Sequence, residues 1–320
     1  LHHAHQCLDS GFLSSSTNHY KYPVMDKLKE VFDGSEPLLT SNGTTALHLL
    51  MLCLNRYHNG PHRVIVPNNV YVAAWNAMLF DSSRLLIPIE TDINTWNMDL
   101  GKLDEELSNA NFKSFAVLIV HNLGNVIDVP VLAAKYPHVT FVEDACEAFG
   151  GKYSNGINVG GCEKVFGSAF SFYGNKNITC GEGGAAVFPS AYNCEYAERL
   201  HGQGQTSERY VHDLLAYNYR MTELQAAILL GQLETYPVVK QLKAKVFETY
   251  RSELNGVDGI HLQTITPGTE HSNWMFGVRF EGLDAKVLAK WFIDRGVETR
   301  PMFYPISAHK HLEHSFPIKR

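Results

Sequence analysis

Short apolar runs recur along most of the chain, and segments with helical spacing of their apolar residues separate them. The clearest runs lie at residues 63–67 (RVIVP), 83–90, 114–120 (SFAVLIV) and 139–143 (VTFVE), and each has the length of one buried strand. Strands that alternate with helices predict an α/β fold with a mainly parallel sheet and helices on both faces. Because ligands in such folds bind beyond the carboxyl ends of the strands, polar residues there are candidates for a site.

The remaining segments predict a division into two domains. The chain begins with a turn-rich region, and helices are predicted at residues 24–32, 71–80, 101–109, 130–136, 191–201 and 222–254. Residues 257–320 have the pattern of a small α+β unit, with strands at 261–263 and 274–280 and a helix at 285–295. We therefore predict a large domain over residues 1–254 and a small α+β C-terminal domain over residues 255–320.

Composition narrows the class of protein. Of the 320 residues 45% are hydrophobic and 19% charged, as in globular proteins, and the net charge of −6 without a basic cluster disfavours nucleic-acid binding. No apolar run approaches the ~18 residues of a membrane-spanning helix, so no membrane association is predicted. The six cysteines and sixteen scattered histidines show no metal-binding spacing, so no metal site is predicted. Reduced cysteines and the lack of a signal-peptide pattern predict a cytoplasmic protein.

One stretch, residues 171–184 (SFYGNKNITCGEGG), carries the strongest chemical signal. Lys176 lies between two strand-like runs and close to several glycines, which allow a ligand to approach the backbone closely. A hairpin whose tip carries a lysine explains this stretch equally well.

Two further patterns have both a structural and a functional interpretation. Asp144 follows the apolar run VTFVE, where it either caps a helix or contacts a ligand at the strand end. Thr44 and Thr45 open the apolar helix after SNG, where free N–H groups and hydroxyls suit a phosphate. A simple helix cap accounts for that pattern as well.

The order of the motifs resembles one family over nearly the whole chain. The motifs are SNGTTALHL, VIVPNNVYVAAWNAML, VEDACEAFG, SFYGNKNITCGEGGA, HGQG with YNYRMTELQAAI, and GVETRPMFYP. Together they are similar to the DegT family of nucleotide-sugar aminotransferases, which depend on pyridoxal 5′-phosphate (PLP). The resemblance implies an aspartate-aminotransferase-like large domain (PLP fold type I), a small C-terminal domain, and a homodimer with shared active sites.

The resemblance also implies roles for individual residues at the cofactor. Lys176 matches the catalytic lysine that forms the Schiff base with PLP, and Asp144 matches the acid that pairs with the pyridine nitrogen. Ser171, Thr44 and Thr45 match positions that hold the cofactor phosphate.

Two more cofactor contacts and one departure follow from the same comparison of motifs. Tyr71 occupies the aromatic position that stacks on the cofactor ring, and Asn218 matches an asparagine that reaches the cofactor phosphate of the neighbouring subunit. Glu147 departs from the glutamine or histidine that many members have near the phenolic oxygen of PLP. An ionised glutamate would repel a phenolate there, so we expect it to be protonated, paired or turned away, unless it is a solvated helix residue.

The motifs GNKNIT, HGQG, ETRPMFYP and NWMF resemble those of perosamine synthases and their viosamine-forming relatives. The implied reaction converts a nucleotide-linked 4-keto-6-deoxyhexose to the 4-amino-4,6-dideoxy sugar, with L-glutamate as the amino donor and pyridoxamine phosphate (PMP) as the intermediate cofactor form. Trp274, Arg300 and Tyr304 are candidates for the substrate-binding wall. Many members have a histidine at position 307, where this chain has Ser307, so His309 is a further candidate. Amination of a 3-keto sugar and a non-catalytic, PLP-binding regulatory role are the alternatives.

Overall fold

The computed structural model describes residues 1–14, 17–57, 62–80, 84–109 and 115–315. A seven-stranded sheet forms its centre, and a two-stranded sheet lies near the C-terminus. The strands are β1 (Glu36–Thr40), β2 (Arg63–Pro67), β3 (Leu85–Ile89), β4 (Phe115–Val120), β5 (Thr140–Asp144), β6 (Gly167–Ser171), β7 (Gly184–Phe188), β8 (Ile260–Leu262) and β9 (Val278–Phe280). The helices are α1 (His2–Ser10), α2 (Lys21–Val31), α3 (Gly43–Tyr57), α4 (Ala73–Leu79), α5 (Leu100–Asn109), α6 (Val129–Lys135), α7 (Ala191–His201), α8 (Glu223–Leu254) and α9 (Ala285–Ile293).

The order of the central strands is β1-β7-β6-β5-β4-β2-β3. Strands β3, β2, β4, β5 and β6 are parallel to one another, and β7 is antiparallel to both β6 and β1. The predicted α/β fold with a mainly parallel sheet is therefore confirmed. The parallel strands are buried along most of their length, because helices cover both faces of the sheet.

Alternate residues of each strand pack into two separate cores. Ile119 and Phe141 belong to the core on one face, whereas Leu118 and Val142 belong to the core on the other face, together with residues of α3. Asp144 is two positions after Val142, so its side chain points to the face that α3 covers. The alternation along β5 thus fixes which helix lies beside Asp144.

Two elements differ from the sequence-based prediction. Residues 2–10 form helix α1 instead of turns, and its buried residues Ala4 and Cys7 pack one helical turn apart while His3 pairs with Glu234 of α8 at 3.0 Å. The predicted strand at 274–280 is reduced to β9, because Asn273 has a left-handed backbone (φ 57°) and the residues beside it bond to the large sheet's loops.

The other predictions agree to within a few residues, although Ser83 and Ser114, at the start of two predicted strands, lie outside the described residues, as do residues 316–320. Helix α8 begins at a capping box in which Thr222 and Gln225 bond reciprocally. The domain boundary at residue 254 stays a prediction. Among the described residues no helix is long and apolar enough to cross a membrane, and no group of His, Cys, Asp or Glu could hold a metal ion.

Candidate active site

Three of the predicted cofactor residues lie at one edge of the sheet. Asp144 is the last residue of β5, Ser171 is the last residue of β6, and Lys176 follows in the loop to β7. Strands β5 and β6 are parallel neighbours, so both side chains lie at the carboxyl edge. The burial of these apolar strands therefore brings together groups that are 27 residues apart in the chain.

The start of α3 packs directly against this edge, because its first residue, Gly43, has no side chain. A Cβ atom on Gly43 would lie 2.9 Å from Cβ of Ser171 and 2.8 Å from Sγ of Cys146. A Cβ atom on Gly184 would lie 2.5 Å from the carbonyl group of Asn42, so a second glycine admits the same helix start. The first N–H groups of the helix thus come close to the Ser171 hydroxyl, and such groups have no partner within the helix.

The first turn of α3 is organised by its cap. The Asn42 side chain accepts a hydrogen bond from the Thr45 N–H at 2.9 Å, and the Thr45 hydroxyl donates to the Asn42 carbonyl at 2.8 Å. Thr44 and Thr45 therefore lie where the phosphate was predicted, although the hydroxyl hydrogen of Thr45 is already engaged. Of the glycines after Lys176, Gly181 adopts φ 85° and serves the turn, whereas the predicted role of the stretch beside a ligand stays a prediction.

The Asp144 carboxyl group is buried with 7% of the residue exposed. Its Oδ1 accepts a hydrogen bond from the Cys146 N–H at 3.1 Å. Burial raises the pKa of Asp144, and the hydrogen bonds from Cys146 and the charges of Lys176 and His121 act in the opposite direction. A cation that binds next to Asp144 would therefore favour its ionised form.

The Lys176 amine lies between an aromatic ring and a carboxyl group. Its Nζ is 3.8 Å from the centroid of the Trp274 ring and 3.8 Å from Oε1 of Glu147. The lysine side chain is 13% exposed and that of Glu147 is 7% exposed. Trp274, predicted as a substrate contact, is thus in direct contact with the predicted catalytic lysine.

Glu147 is neither solvated nor turned away from this amine. Its Oε2 accepts a hydrogen bond from the Leu123 N–H at 2.8 Å. Burial raises the pKa of Glu147 to about 7, although Lys176 and the Leu123 N–H oppose this shift. Of the expected states, protonated and paired forms both fit this position, and the solvated-helix interpretation does not.

Among the described residues, no contact connects the remaining predicted residues to Lys176. Tyr71 lies just before α4 and packs against Phe303, with 5.9 Å between ring centroids. Tyr304 is exposed, and its neighbour Pro305 pairs with the loop after β2. The other three lie elsewhere: Arg300 pairs with Glu298 at 2.6 Å, His309 packs against Trp75, and Asn218 forms a backbone bridge with Gly202. Their predicted roles stay predictions.

Several residues at the site escaped sequence analysis. Leu123 and His121 contact or influence the buried carboxylates, and Leu123 does so from a left-handed conformation (φ 58°). The Ser272 hydroxyl donates to the backbone carbonyl of Glu147. The signal for Leu123 and His121 was the polar segment HNLGN directly after β4, at the same sheet edge as Asp144. Ser272 carried no comparable signal, because it belongs to none of the motifs and precedes the strand predicted at 274–280.

The donor and acceptor groups of this edge fit PLP. Asp144 offers a buried carboxylate to a protonated pyridine nitrogen, and Lys176 offers an amine to a carbonyl carbon. The first N–H groups of α3 and the Ser171 hydroxyl, which the close approach at Gly43 brings together, offer donors to a phosphate. An acid, an amine and an anion site together match the three reactive parts of this cofactor.

Comparisons with known proteins agree with this geometry. The profile of the DegT/DnrJ/EryC1/StrS aminotransferase family matches residues 1–320. The GDP-perosamine synthase of Escherichia coli O157:H7 is 34% identical over 308 residues, which cover 95% of this chain and 81% of that protein. The GDP-perosamine synthase of Vibrio cholerae is 34% identical over 324 residues, which cover 98% of this chain and 85% of that protein.

A solved structure extends the comparison to the fold. The crystal structure of 3-amino-5-hydroxybenzoic acid synthase superposes with a TM-score of 0.89 at 24% identity, covering 100% of this chain and 84% of that one. This similarity shows that the two share a fold, the PLP fold type I. The chain belongs to the DegT/DnrJ/EryC1/StrS aminotransferase family and is a PLP-dependent aminotransferase.

Proposed function

We propose that this aminotransferase converts a nucleotide-linked 4-keto-6-deoxyhexose to the corresponding 4-amino-4,6-dideoxy sugar, with L-glutamate as the amino donor. The observation that carries the proposal is the convergence of Lys176, Asp144 and Glu147 at one sheet edge beside the start of α3. The choice of carbon 4 is supported by the GDP-perosamine synthases among the relatives, so a GDP-linked sugar is the first substrate to test. A viosamine-type product is the closest variation.

Lys176 would bind the carbonyl carbon of PLP, and Asp144 would hold the proton on its ring nitrogen. Ser171, Thr44 and Thr45 would hold the phosphate at the start of α3, and Tyr71 would cover the ring. The cofactor supplies an electron sink that stabilises a carbanion next to the transferred nitrogen. Once its amine is free, Lys176 would move a proton between the cofactor carbon and the substrate carbon, first as base and then as acid.

The substrate and the second subunit complete the proposed site. Trp274, Arg300, Tyr304 and His309 are proposed substrate contacts, of which Trp274 already borders Lys176. Asn218 of the partner subunit would contact the phosphate of PLP in a homodimer. We also propose a cytoplasmic location, where the sugar nucleotide and glutamate are both supplied.

The test is incubation of the purified protein with PLP, L-glutamate and one keto sugar nucleotide at a time. We expect a 4-amino product from the GDP-linked 4-keto-6-deoxyhexose, detected by mass spectrometry and NMR, and none with the Lys176→Ala variant. UDP-linked and dTDP-linked 4-keto sugars define the preferred nucleotide. A product formed only from a 3-keto sugar nucleotide would overturn the proposal.

A further inference from the structure

We propose that the Trp274 ring and the Glu147 carboxyl group form a holding position for the free amine of Lys176, and that Glu147 takes up and returns a proton of that amine there. The inference rests on the proposed role of Lys176 at the cofactor. It assigns Trp274 and Glu147 as positioning residues that act through Lys176.

The first argument is the geometry of the amine itself. Nζ of Lys176 lies over the face of the Trp274 ring at 3.8 Å, and Oε1 of Glu147 lies at the same distance. The face of an indole ring attracts a cation most strongly where water is excluded, and all three side chains are nearly buried. The two groups therefore offer an ammonium a position between the ring face and the carboxyl group.

The second argument concerns residues 272–274, which we call the strap. The strap links both the Trp274 ring and Glu147 to the loop that carries Lys176. The Trp274 Nε1–H donates to the Asn175 carbonyl at 2.9 Å, directly beside Lys176. The Ser272 hydroxyl donates to the Glu147 carbonyl at 2.6 Å, and the Asn177 amide donates to the Ser272 carbonyl at 2.8 Å. Residues on both sides of Lys176 thus hold the strap that carries the ring.

The carboxyl group is also fixed in its orientation. Oε2 of Glu147 accepts the Leu123 N–H at 2.8 Å, which leaves Oε1 toward the amine. Leu123 presents this N–H from a left-handed conformation (φ 58°), and the N–H of Met275, the residue after the strap, donates to the Leu123 carbonyl at 3.4 Å. A strained residue maintained at this place indicates that the orientation of Glu147 matters.

The proton transfer within this position is balanced. One N–H bond of the Lys176 ammonium breaks and one O–H bond forms at Oε1 of Glu147, so an ion pair becomes a neutral amine and a carboxylic acid. The net charge does not change, and the reverse step restores the ammonium. The distance of 3.8 Å exceeds a hydrogen bond, so a rotation of the flexible lysine side chain precedes the transfer.

The electrostatic surroundings support such an exchange. Burial raises the pKa of Glu147 to about 7, so both of its forms are populated near neutral pH. The other titratable groups that face it are Lys176, whose charge lowers this pKa, and Asp144, whose charge raises it. The Cys146 thiol nearby stays neutral, because burial raises its pKa well above the usual value.

The experiment measures how fast the chain, freed of cofactor, captures added PLP covalently between pH 7.5 and pH 8.5, above the pKa of Glu147. Glu147 and Lys176 then share one proton, so if that proton passes to Glu147 the fraction of neutral amine does not depend on pH in this range, and the logarithm of the rate changes little with pH. In Glu147→Gln the proton must go to water, so the rate rises about tenfold per pH unit relative to wild type. Equal slopes for wild type and Glu147→Gln would overturn the proton exchange.

Two tryptophan variants test the ring. Trp274→Phe keeps an aromatic face and should keep the flat profile, whereas Trp274→Leu should acquire the slope of Glu147→Gln. If Trp274→Phe also acquires that slope, the ring face is not what holds the amine and this part of the inference is wrong. Lys176→Arg distinguishes failure of the proposed function from failure of the holding position. If Lys176→Arg captures PLP as wild type does, the proposed role of Lys176 is wrong. If capture requires Lys176 but wild type and Glu147→Gln have equal slopes, only the holding position is wrong.

Discussion

Asp144 and Glu147 are two buried carboxyl groups only three residues apart, and the charge of one lysine, Lys176, acts on both. Burial raises the pKa of both, because a charge loses its water there. The single ammonium of Lys176 is 3.8 Å from Glu147 and cannot pair closely with both acids. A second cation next to Asp144 would complete the balance of charge, and a protonated pyridine nitrogen supplies one. The charge of the residues alone thus favours a cofactor with a basic ring nitrogen.

Glu147 should make the stability of the cofactor-free protein depend on pH. The pKa of Glu147 is about 7 in the folded chain, against 4.5 for an unperturbed glutamate. Between these values the folded state binds more protons than the unfolded state, so stability falls as the pH rises through this window. A shift of this size corresponds to about 3 kcal/mol as an upper limit. Glu147→Gln should abolish this loss, so we expect the variant to gain stability over wild type from pH 4.5 to pH 7, measured by urea unfolding at several pH values.

The control for this prediction is Glu163→Gln, which removes an exposed carboxylate. It should leave the difference from wild type constant over the same pH range, because the Glu163 side chain is in contact with water in the folded chain as well. If Glu147→Gln tracks wild type in parallel at every pH, the buried Glu147 does not ionise in this window. That outcome would also remove the support that its pKa gives to the holding position.

The start of α3 is the element on which phosphate binding depends. Gly43→Ala would place a methyl group 2.9 Å from Cβ of Ser171, and Gly174→Ala would place one in open space two residues before Lys176. Displacing the helix start should cost about 1–3 kcal/mol of stability and move its N–H groups away from the phosphate. We expect Gly43→Ala to lose at least about tenfold in affinity for PLP but little for pyridoxal, which has no phosphate.

Gly174→Ala is the matched control, because it makes the same chemical change without a contact. Fluorescence titration with both ligands gives the two affinities for each variant. An equal loss of PLP and pyridoxal binding in Gly43→Ala would mean that the helix start supports the site in general and does not hold the phosphate.

Sequence patterns predict those parts of the protein that local chemistry determines. The strand ends that carry Asp144 and Ser171 follow from apolar runs, and Lys176 follows from the motif between two of them. The contact between Trp274 and Lys176 could not be predicted, since it joins positions 98 residues apart through the strap. Helix α1 was missed because three histidines obscure its apolar spacing, and Ala4 and Cys7 become recognisable as a buried face only against α8.

The whole molecule raises the question of how many chains complete one site. Asn218 is exposed in the single chain, and its backbone pairs with Gly202 in a segment before α8. The proposed role of Asn218 is to contact the phosphate in the site of a second copy of the chain. A closed two-fold dimer would make such sharing reciprocal, since each chain would give Asn218 to its partner and receive one.

Mixed dimers test this sharing directly. Lys176→Ala and Asn218→Asp each lack one proposed group, so each variant alone should be inactive or nearly so, with the aspartate adding repulsion toward a phosphate. In a mixed dimer one site loses both groups, but the other combines an intact Lys176 with Asn218 of the partner subunit. Because random exchange makes half of the dimers mixed, the mixture should recover about a quarter of wild-type activity. Sedimentation establishes the dimer beforehand, and no recovery after verified exchange would mean that each chain builds its site alone.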